Sequence, residues 1–259
     1  MINFLYPEGG KPDISKVLRI KGTNKLIYAD SRSHIGWSNL VYGCYEDRVI
    51  ELMRSLVKGR QKRVAIDVGA NIGHYSLILS ELFEKVYGFE PVGEFRARFQ
   101  KNIELNKLSN VETLPTALGE KTEAVEMAVL VFHEEPQTAS VNTGHYLFQD
   151  EFQWKFQKSS VITLDSFVAE RNLQSVDYIK IDTDGSEREI LSGAMNTLKQ
   201  FGPIVQIELD EVVEKWLGTP TAVRIAAKIL KSLGYQIIDV HGKFYDKEWY
   251  RGNFFAMKI

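Results

Sequence analysis

Apolar residues in this chain follow two rhythms. Short, nearly unbroken runs bounded by breakers predict buried strands at Val64–Val68, Lys85–Phe89, Val111–Pro115, Val176–Asp182 and Ile204–Leu209. Between them, apolar positions recur at helical spacing. Val49, Leu52, Met53 and Leu56 predict an amphipathic helix over Glu46–Lys58. Val92, Phe95, Phe99 and Ile103 predict a second, entered at Pro91 and stopped by Asn106 and Asn110. Ile190, Leu191, Ala194 and Leu198 predict a helix after the fourth core strand, and Val223, Ala226, Ala227, Leu230 and Leu233 another over Thr221–Leu233. Strand and helix in alternation predict an α/β fold built on a mostly parallel sheet.

Two stretches leave that alternation. Lys16–Ile20 and Lys25–Ala29 flank Lys21-Gly22-Thr23-Asn24 as a hairpin, so residues 1–60 read as a hairpin and helix cap on a main domain of residues 61–259. Within 124–162, the β-prone runs Ala124–Phe132 and Phe156–Thr163 enclose a polar and aromatic insertion carrying Ser140, Asn142, His145, Tyr146, Phe148, Phe152 and Trp154. Its aromatic content argues for an ordered hairpin, serving either as a lid or as packing on the sheet edge. Tyr235–Val240 and Phe254–Ile259 finish the chain as two strands.

Composition narrows the class without choosing a function. With 44% hydrophobic and 25% charged residues and a formal charge of −2, the chain reads as a globular protein with no global attraction to nucleic acid or anionic membrane. One cysteine, Cys44, leaves no internal disulfide and suits a reducing compartment. The apolar part of the N-terminus is short for a secretory signal and no run approaches spanning length, so a cytoplasmic enzyme without a membrane partner is expected.

Candidate chemistry concentrates in Val64-Ala65-Ile66-Asp67-Val68-Gly69-Ala70-Asn71-Ile72-Gly73, with Glu90 ending the next strand. Strand, acid, glycine turn, helix, strand and acid describe a βαβ nucleotide-binding unit whose last carboxylate can reach two ribose hydroxyls. A dinucleotide needs bare backbone beside its pyrophosphate, yet Asn71 and His74 stand where the second and third glycines would be. S-adenosylmethionine shares the adenosine and lacks the phosphates, so the loop favours a methyl donor. The turn Thr116-Ala117-Leu118-Gly119 is expected against the adenine.

The chain resembles the FkbM-type methyltransferases, which use S-adenosylmethionine and mostly methylate hydroxyl oxygens. The likeness covers roughly residues 42–210 and rests on ordered pieces: Gly43-Cys44-Tyr45-Glu46, Asp67 to Gly73, Phe89-Glu90-Pro91, Asn102 with Asn106, Ala117-Leu118-Gly119, Thr163-Leu164-Asp165, Lys180-Ile181-Asp182-Thr183-Asp184-Gly185-Ser186-Glu187, Gly193-Ala194 and Glu208. Thr183-Asp184 departs from the hydrophobic-Glu pair common in that block, although an acid survives the change. The resemblance implies a Rossmann-like class I methyltransferase fold, seven-stranded and mostly parallel, with its last strand antiparallel. It also implies a donor site drawn from Glu46, Asp67, Gly69, Ala70, Asn71, Gly73, Glu90, Pro91, Thr116 and Ala117.

A hydroxyl is a poor nucleophile until its proton is drawn off, and ligands of open α/β sheets bind beyond the carboxyl ends of the strands. Asp182 and Glu208 end adjacent strands and, with Lys180, are the catalytic candidates, Asp182 being expected to accept the hydroxyl proton or orient it. Lys180 shares its face and either tunes that carboxylate, holds a substrate oxygen, or serves as a buried partner that neutralises Asp182 or Glu208. Asp182, Asp184, Glu208 and Asp210 could instead hold a divalent cation, the alternative being that Asp184 and Glu187 cap the following helix. No histidine pair has zinc spacing. His74 belongs to the cofactor helix, while His145 and His241 are solvated loop residues or alternative bases.

The expected acceptor is a small molecule or carbohydrate: a hydroxyl on a sugar, glycan or secondary metabolite. Tyr146, Trp154, Tyr245, Trp249 and Tyr250 either stack on a sugar face or fill a local core. The alternatives are an N-methyltransferase acting on a small molecule or nucleic acid, and an inactive binding protein of the same fold. Asp182-Thr183-Asp184-Gly185 in place of an Asn-Pro-Pro-aromatic turn, with no basic domain, speaks against nucleic acid. A homo-oligomer is compatible with the sequence.

Overall fold

The computed structural model describes residues 14–132, 135–140, 153–211, 221–247 and 249–258. The chain begins with a hairpin, β1 (Ser15–Arg19) and β2 (Leu26–Asp30), then helices α1 (His34–Tyr42) and α2 (Asp47–Val57). Next come β3 (Val64–Val68), α3 (His74–Leu79), β4 (Lys85–Phe89), α4 (Gly93–Leu105) and β5 (Val111–Leu114). A smaller sheet follows from β6 (Ala117–Leu118), β7 (Glu123–Phe132), β8 (Glu135–Ser140) and β9 (Gln153–Ile162). The remainder runs α5 (Leu164–Glu170), β10 (Tyr178–Ile181), α6 (Glu187–Ser192), α7 (Met195–Phe201), β11 (Ile204–Asp210), α8 (Ala222–Ser232), β12 (Gln236–Asp239) and β13 (Arg251–Met257).

The main sheet has seven strands in the order β12-β13-β11-β10-β3-β4-β5. β11, β10, β3, β4 and β5 are parallel, whereas β13 runs antiparallel to both of its neighbours. From β3 the chain moves outward through β4 and β5, then returns to β10 on the opposite side. The strand order therefore reverses beside β3, the place where open α/β sheets bind ligands.

Two-residue periodicity sorts each strand's side chains between two cores. Ile66, Val68, Ile179, Ile181 and Ile207 meet Leu164, Ile190, Leu191 and Leu230 on one face. Ala65, Val86, Tyr178 and Ile204 meet Ile20, Ile27, Ile50, Met53 and Leu77 on the other, so the hairpin and α2 contribute to a core of the main sheet.

Asn102 and Asn106 fix the hairpin. The Tyr28 amide donates to Asn102 Oδ1 at 2.8 Å and the Leu26 amide to Asn106 Oδ1 at 2.7 Å, while Asn106 Nδ2 donates to the Leu26 carbonyl at 2.6 Å. Four residues of helix rise about 6 Å and two of strand about 6.8 Å. Side chains four apart on α4 can therefore serve alternate residues of β2. The Thr163-Leu164-Asp165 segment is also structural: Thr163 caps α5, and the Asp165 carboxylate accepts from the amides of Asn196 and Thr197 at the start of α7.

Several elements differ from the sequence pattern. Helix α1 was not anticipated, because its buried residues are Gly36, Ser38 and Asn39 rather than an apolar stripe. The helix expected through Ile190–Leu198 is divided at Gly193, where an added Cβ would lie 2.0 Å from the Gly119 carbonyl oxygen. Ala117-Leu118, read as a loop, forms β6 and pairs in parallel with Val161 and Ile162. The insertion gains a third strand, with β7 antiparallel to both β8 and β9. Asn142, His145, Tyr146, Phe148, Phe152 and the terminal Ile259 lie outside the described residues. Among the described residues, no helix is long and apolar enough to cross a membrane.

Candidate functional site

The carboxyl ends of β3, β4 and β10 open into a cleft of about 580 Å³, its mouth included. The glycine turn contributes Val68, Gly69 and Asn71; the end of β4 and the start of α4 contribute Phe89, Glu90, Pro91 and Phe95. Ala117 and Leu118 enter from β6, Met127 from β7, and Asp182, Thr183, Asp184 and Ser186 from the segment after β10. Gly69 is required where the turn crosses the end of β10: its φ is +78°, and an added Cβ would stand 1.9 Å from the Asp182 carbonyl oxygen. Asn71, at φ 51°, occupies the left-handed region, which asparagine tolerates better than most side chains.

Glu90 is buried at the centre of the cleft. Its two carboxylate oxygens accept from the amides of Asn71 and Val92, each at 2.8 Å, and burial pushes the carboxyl up to about 7. Each oxygen retains acceptor capacity.

The second polar centre is built across strands. Lys180 of β10 stands in register with Asp67 of β3 and Gln206 of β11. Its Nζ donates to Asp182 Oδ2 at 2.9 Å, lies 3.8 Å from Asp67 Oδ1, and sits 4.6 Å from the centre of the Tyr75 ring. Burial opposes the ammonium, but Asp182 and Asp67 outweigh it and hold Lys180 above the usual lysine range. Burial likewise opposes the Asp182 carboxylate, yet Lys180 and a hydrogen bond from Glu208 bring it below the usual value. The charge on Asp182, followed by burial and a hydrogen bond between the two carboxyls, drives Glu208 well above the usual range.

Beneath Lys180, four side chains close a ring of hydrogen bonds. Tyr75 donates to Glu46 Oε2 at 2.7 Å, Asn253 Nδ2 donates to Glu46 Oε1 at 2.8 Å, and Gln206 Nε2 donates to Tyr75 at 3.1 Å and to Asn253 Oδ1 at 3.2 Å. Tyr178 adds a donor to Gln206 Oε1. The ring fixes the tyrosine whose face receives the lysine.

Of the residues expected from sequence, the cleft brings together Gly69, Asn71, Glu90, Pro91, Ala117 and Asp182. Asp67 is fully buried behind the turn, accepting from Ser76 Oγ at 2.6 Å. Ala70 and Gly73 shape the turn, and an added Cβ on Gly73 would meet the Phe99 ring at 2.0 Å. Thr116 is half-buried beside β6, Glu46 belongs to the buried ring, and Lys180 stands behind Asp182. Glu208 lines a smaller cavity with Asp184 and Asp210, which meets the cleft at Asp184.

Among the described residues, no three His, Cys, Asp or Glu side chains form a group that could hold a metal ion. The set weighed for a cation, Asp182, Asp184, Glu208 and Asp210, is not such a group; the ammonium of Lys180 already neutralises Asp182. Glu187 turns inward, accepting from the amides of Thr183 and Gly185 and from Thr183 Oγ1, and burial pushes it up to about 7. It fixes the loop that carries Asp184, whose φ is 52°.

His74 opens α3 between Asn39 and the Tyr45 carbonyl, and burial lowers it to about 3, leaving it neutral. His241 is exposed, whereas His145 and Tyr146 lie outside the described residues. Tyr245 and Tyr250 pack with Phe254, Trp154 is half-buried on β9, and Trp249 is exposed.

Sequence reasoning missed Tyr75, Gln206, Asn253 and Met127. Only Met127 carried a signal, through the alternation of Met127, Val129 and Val131 on one face of β7.

A model of the FkbM methyltransferase domain matches residues 67–237. Over 143 residues the chain is 27% identical to Methyltransferase 1 of Beauveria bassiana (strain ARSEF 2860); the match takes in 49% of this chain and 57% of that protein, and so spans little more than half the relative's length. Among solved structures, the methyltransferase FkbM of Methylobacillus flagellatus KT is 18% identical, with a TM-score of 0.47 over 75% of this chain and 43% of that one. An O-methyltransferase of Bacillus cereus, solved in complex with SAH, is 14% identical, with a TM-score of 0.49 over 86% of each chain. Because the domain match runs from the first acid of the glycine turn to β12 and takes in well over half of the residues, the chain belongs to the FkbM methyltransferase domain family.

Proposed function

We propose that this chain is an S-adenosylmethionine-dependent methyltransferase whose acceptor is a hydroxyl on a sugar, glycan or secondary metabolite. One observation carries the reading: the cleft at the reversal of strand order is lined by Glu90, Asp182 and Asp184 and, among the described residues, by no lysine, arginine or histidine. Such a lining repels a pyrophosphate and attracts a ligand that bears a sulfonium and an ammonium.

The residues present fit that ligand. Glu90 offers two oxygens, each with capacity for one more donor, which suits a ribose diol. The bound donor would supply a methyl group activated by its positive sulfur. Gly69, Asn71 and Glu90 would hold it, with the apolar side chains beyond Pro91 against its base.

Asp182 then orients the acceptor by receiving its hydroxyl hydrogen. Its lowered proton affinity makes it a weak base for a free alcohol, so the proton moves late, once the new carbon–oxygen bond has made the hydroxyl strongly acidic. Lys180 holds the carboxylate charged and in place through its 2.9 Å hydrogen bond to Asp182 Oδ2.

Calorimetry with S-adenosylhomocysteine tests the donor, and transfer of labelled methyl from S-adenosylmethionine to paired hydroxyl and amine acceptors tests the oxygen. Binding with label on hydroxyl compounds is expected. Label on amines alone would make this an N-methyltransferase. Binding without transfer to any acceptor would make it a binding protein, and no binding would remove the donor reading.

A further inference from the structure

We propose that Met127, supplied by the insertion sheet, is a donor-binding residue that closes the apolar end of the cleft over the purine. The proposal rests on the reading of the cleft as a donor site. Its lining follows the order of the sheet: Asp182 and Asp184 come after β10, Gly69 and Asn71 after β3, Glu90 after β4, and Ala117 and Leu118 beyond β5, with Phe89, Phe95, Leu118 and Met127 supplying apolar side chains. A donor whose ribose is held by Glu90 must extend its base to one side and its charged amino acid to the other. The charged part belongs with Asp182 and Asp184. The flat, uncharged base then falls among the apolar group.

Phe89 ends β4 of the main sheet and Phe95 belongs to α4, whereas Ala117, Leu118 and Met127 come from the smaller sheet, the first two on β6 and Met127 on β7. Met127 is only 4% exposed and reaches the cleft. Three ties hold it there. Val129, two residues along the strand, packs against Val92 and Phe95 at the start of α4. Gln157 of β9 donates to the Pro91 carbonyl at 2.8 Å, directly after Glu90. β6, which carries Ala117 and Leu118, is itself paired with β9. The insertion sheet is thus fastened to both segments that flank the base, and a thioether is suited to lie against an aromatic ring system.

The role is specific to the purine, which separates it from a packing role. Titrating the full chain with S-adenosylhomocysteine, Met127→Ala is expected to bind about tenfold more weakly than the wild type, and Met127→Leu within about threefold. In a parallel titration with S-adenosylhomocysteine analogues alkylated at N6, C2 or C8 of the purine, Met127→Ala should bind at least one of them better, relative to the parent ligand, than the wild type does. Unchanged affinity in Met127→Ala, or an equal loss for parent and every alkylated ligand, would overturn the proposal. Hydrogen exchange on the wild type gives a reading that needs no variant. Saturating S-adenosylhomocysteine should slow the amides of residues 125–129 as well as those of the glycine turn, and slowing confined to the turn would count against Met127. If the wild type takes up no S-adenosylhomocysteine and neither segment slows, the donor site itself fails and the assignment of Met127 falls with it.

Discussion

Glu90 and Asp182 face one cleft from strands on opposite sides of β3, and their surroundings move their protons in opposite directions. Glu90 is buried and Asp182 half-buried. Glu90 is met by two backbone amides, and the nearby Arg96 guanidinium spends its hydrogen bonds on the carbonyls of Glu90 and Pro91. Asp182 is met by the ammonium of Lys180, itself sealed between Asp67 and the Tyr75 ring. Amide dipoles position a carboxylate without fully replacing its hydration, whereas a buried full charge more than replaces it. The cleft therefore carries two acids of opposite habit, Glu90 raised to about 7 and Asp182 held below its ordinary value.

The contrast is most directly broken at Asp182. Asp182→Asn is expected to lower the single-turnover methyl-transfer rate at saturating donor by about 100- to 10,000-fold; a loss below tenfold would mean that the carboxylate does not receive the proton. Next in size is Lys180→Met, which leaves Asp67 and Asp182 buried without a cation and should cost about 3–5 kcal/mol in urea unfolding at neutral pH. Its pH dependence sharpens the point. Asp182 lies below its ordinary value of 3.8 in the folded chain, so the stability it contributes is present above that value and is lost as pH falls through its lowered value. In Lys180→Met the slope should reverse, with acid relieving the uncompensated charge.

Glu90 gives the smallest effect and the opposite sign. Its carboxyl is raised from 4.5 to about 7, so its contribution to the stability of the donor-free chain is complete below 4.5 and is lost as pH rises through 7. Ribose hydroxyls donate to the ionised form. S-adenosylhomocysteine should therefore bind about tenfold more weakly at pH 6 than at pH 8, with Glu90→Gln weaker at both and flat between them. A pH-independent wild-type affinity would show that the amides alone suffice to keep Glu90 charged.

The sequence revealed those parts of the molecule whose partners are near in the chain or whose burial is apolar. The five parallel strands were legible because both of their faces are covered, which leaves unbroken apolar runs. Lys180 and Asp182 were legible as a pair because strand geometry places residues two apart on one face. Helix α1 was hidden because it buries Gly36, Ser38 and Asn39, with Gly36 pressed against the Asp30 backbone where an added Cβ would meet the carbonyl oxygen at 2.1 Å. The break between α6 and α7 was hidden because Ile190, Leu191, Ala194 and Leu198 face one core from both halves. The ring under Lys180 was hidden for a different reason: Gln206 meets Tyr75 across 131 positions and Asn253 meets Glu46 across 207, with no local pattern to announce either contact.

The grip of Asn102 and Asn106 on β2 has a consequence for association between chains. A two-stranded ribbon normally leaves both outer rims open to strand addition by another molecule. Here the inner rim is occupied by amide groups that imitate a neighbouring strand at Leu26 and Tyr28, so backbone that would otherwise template intermolecular β-pairing is sealed within the protomer.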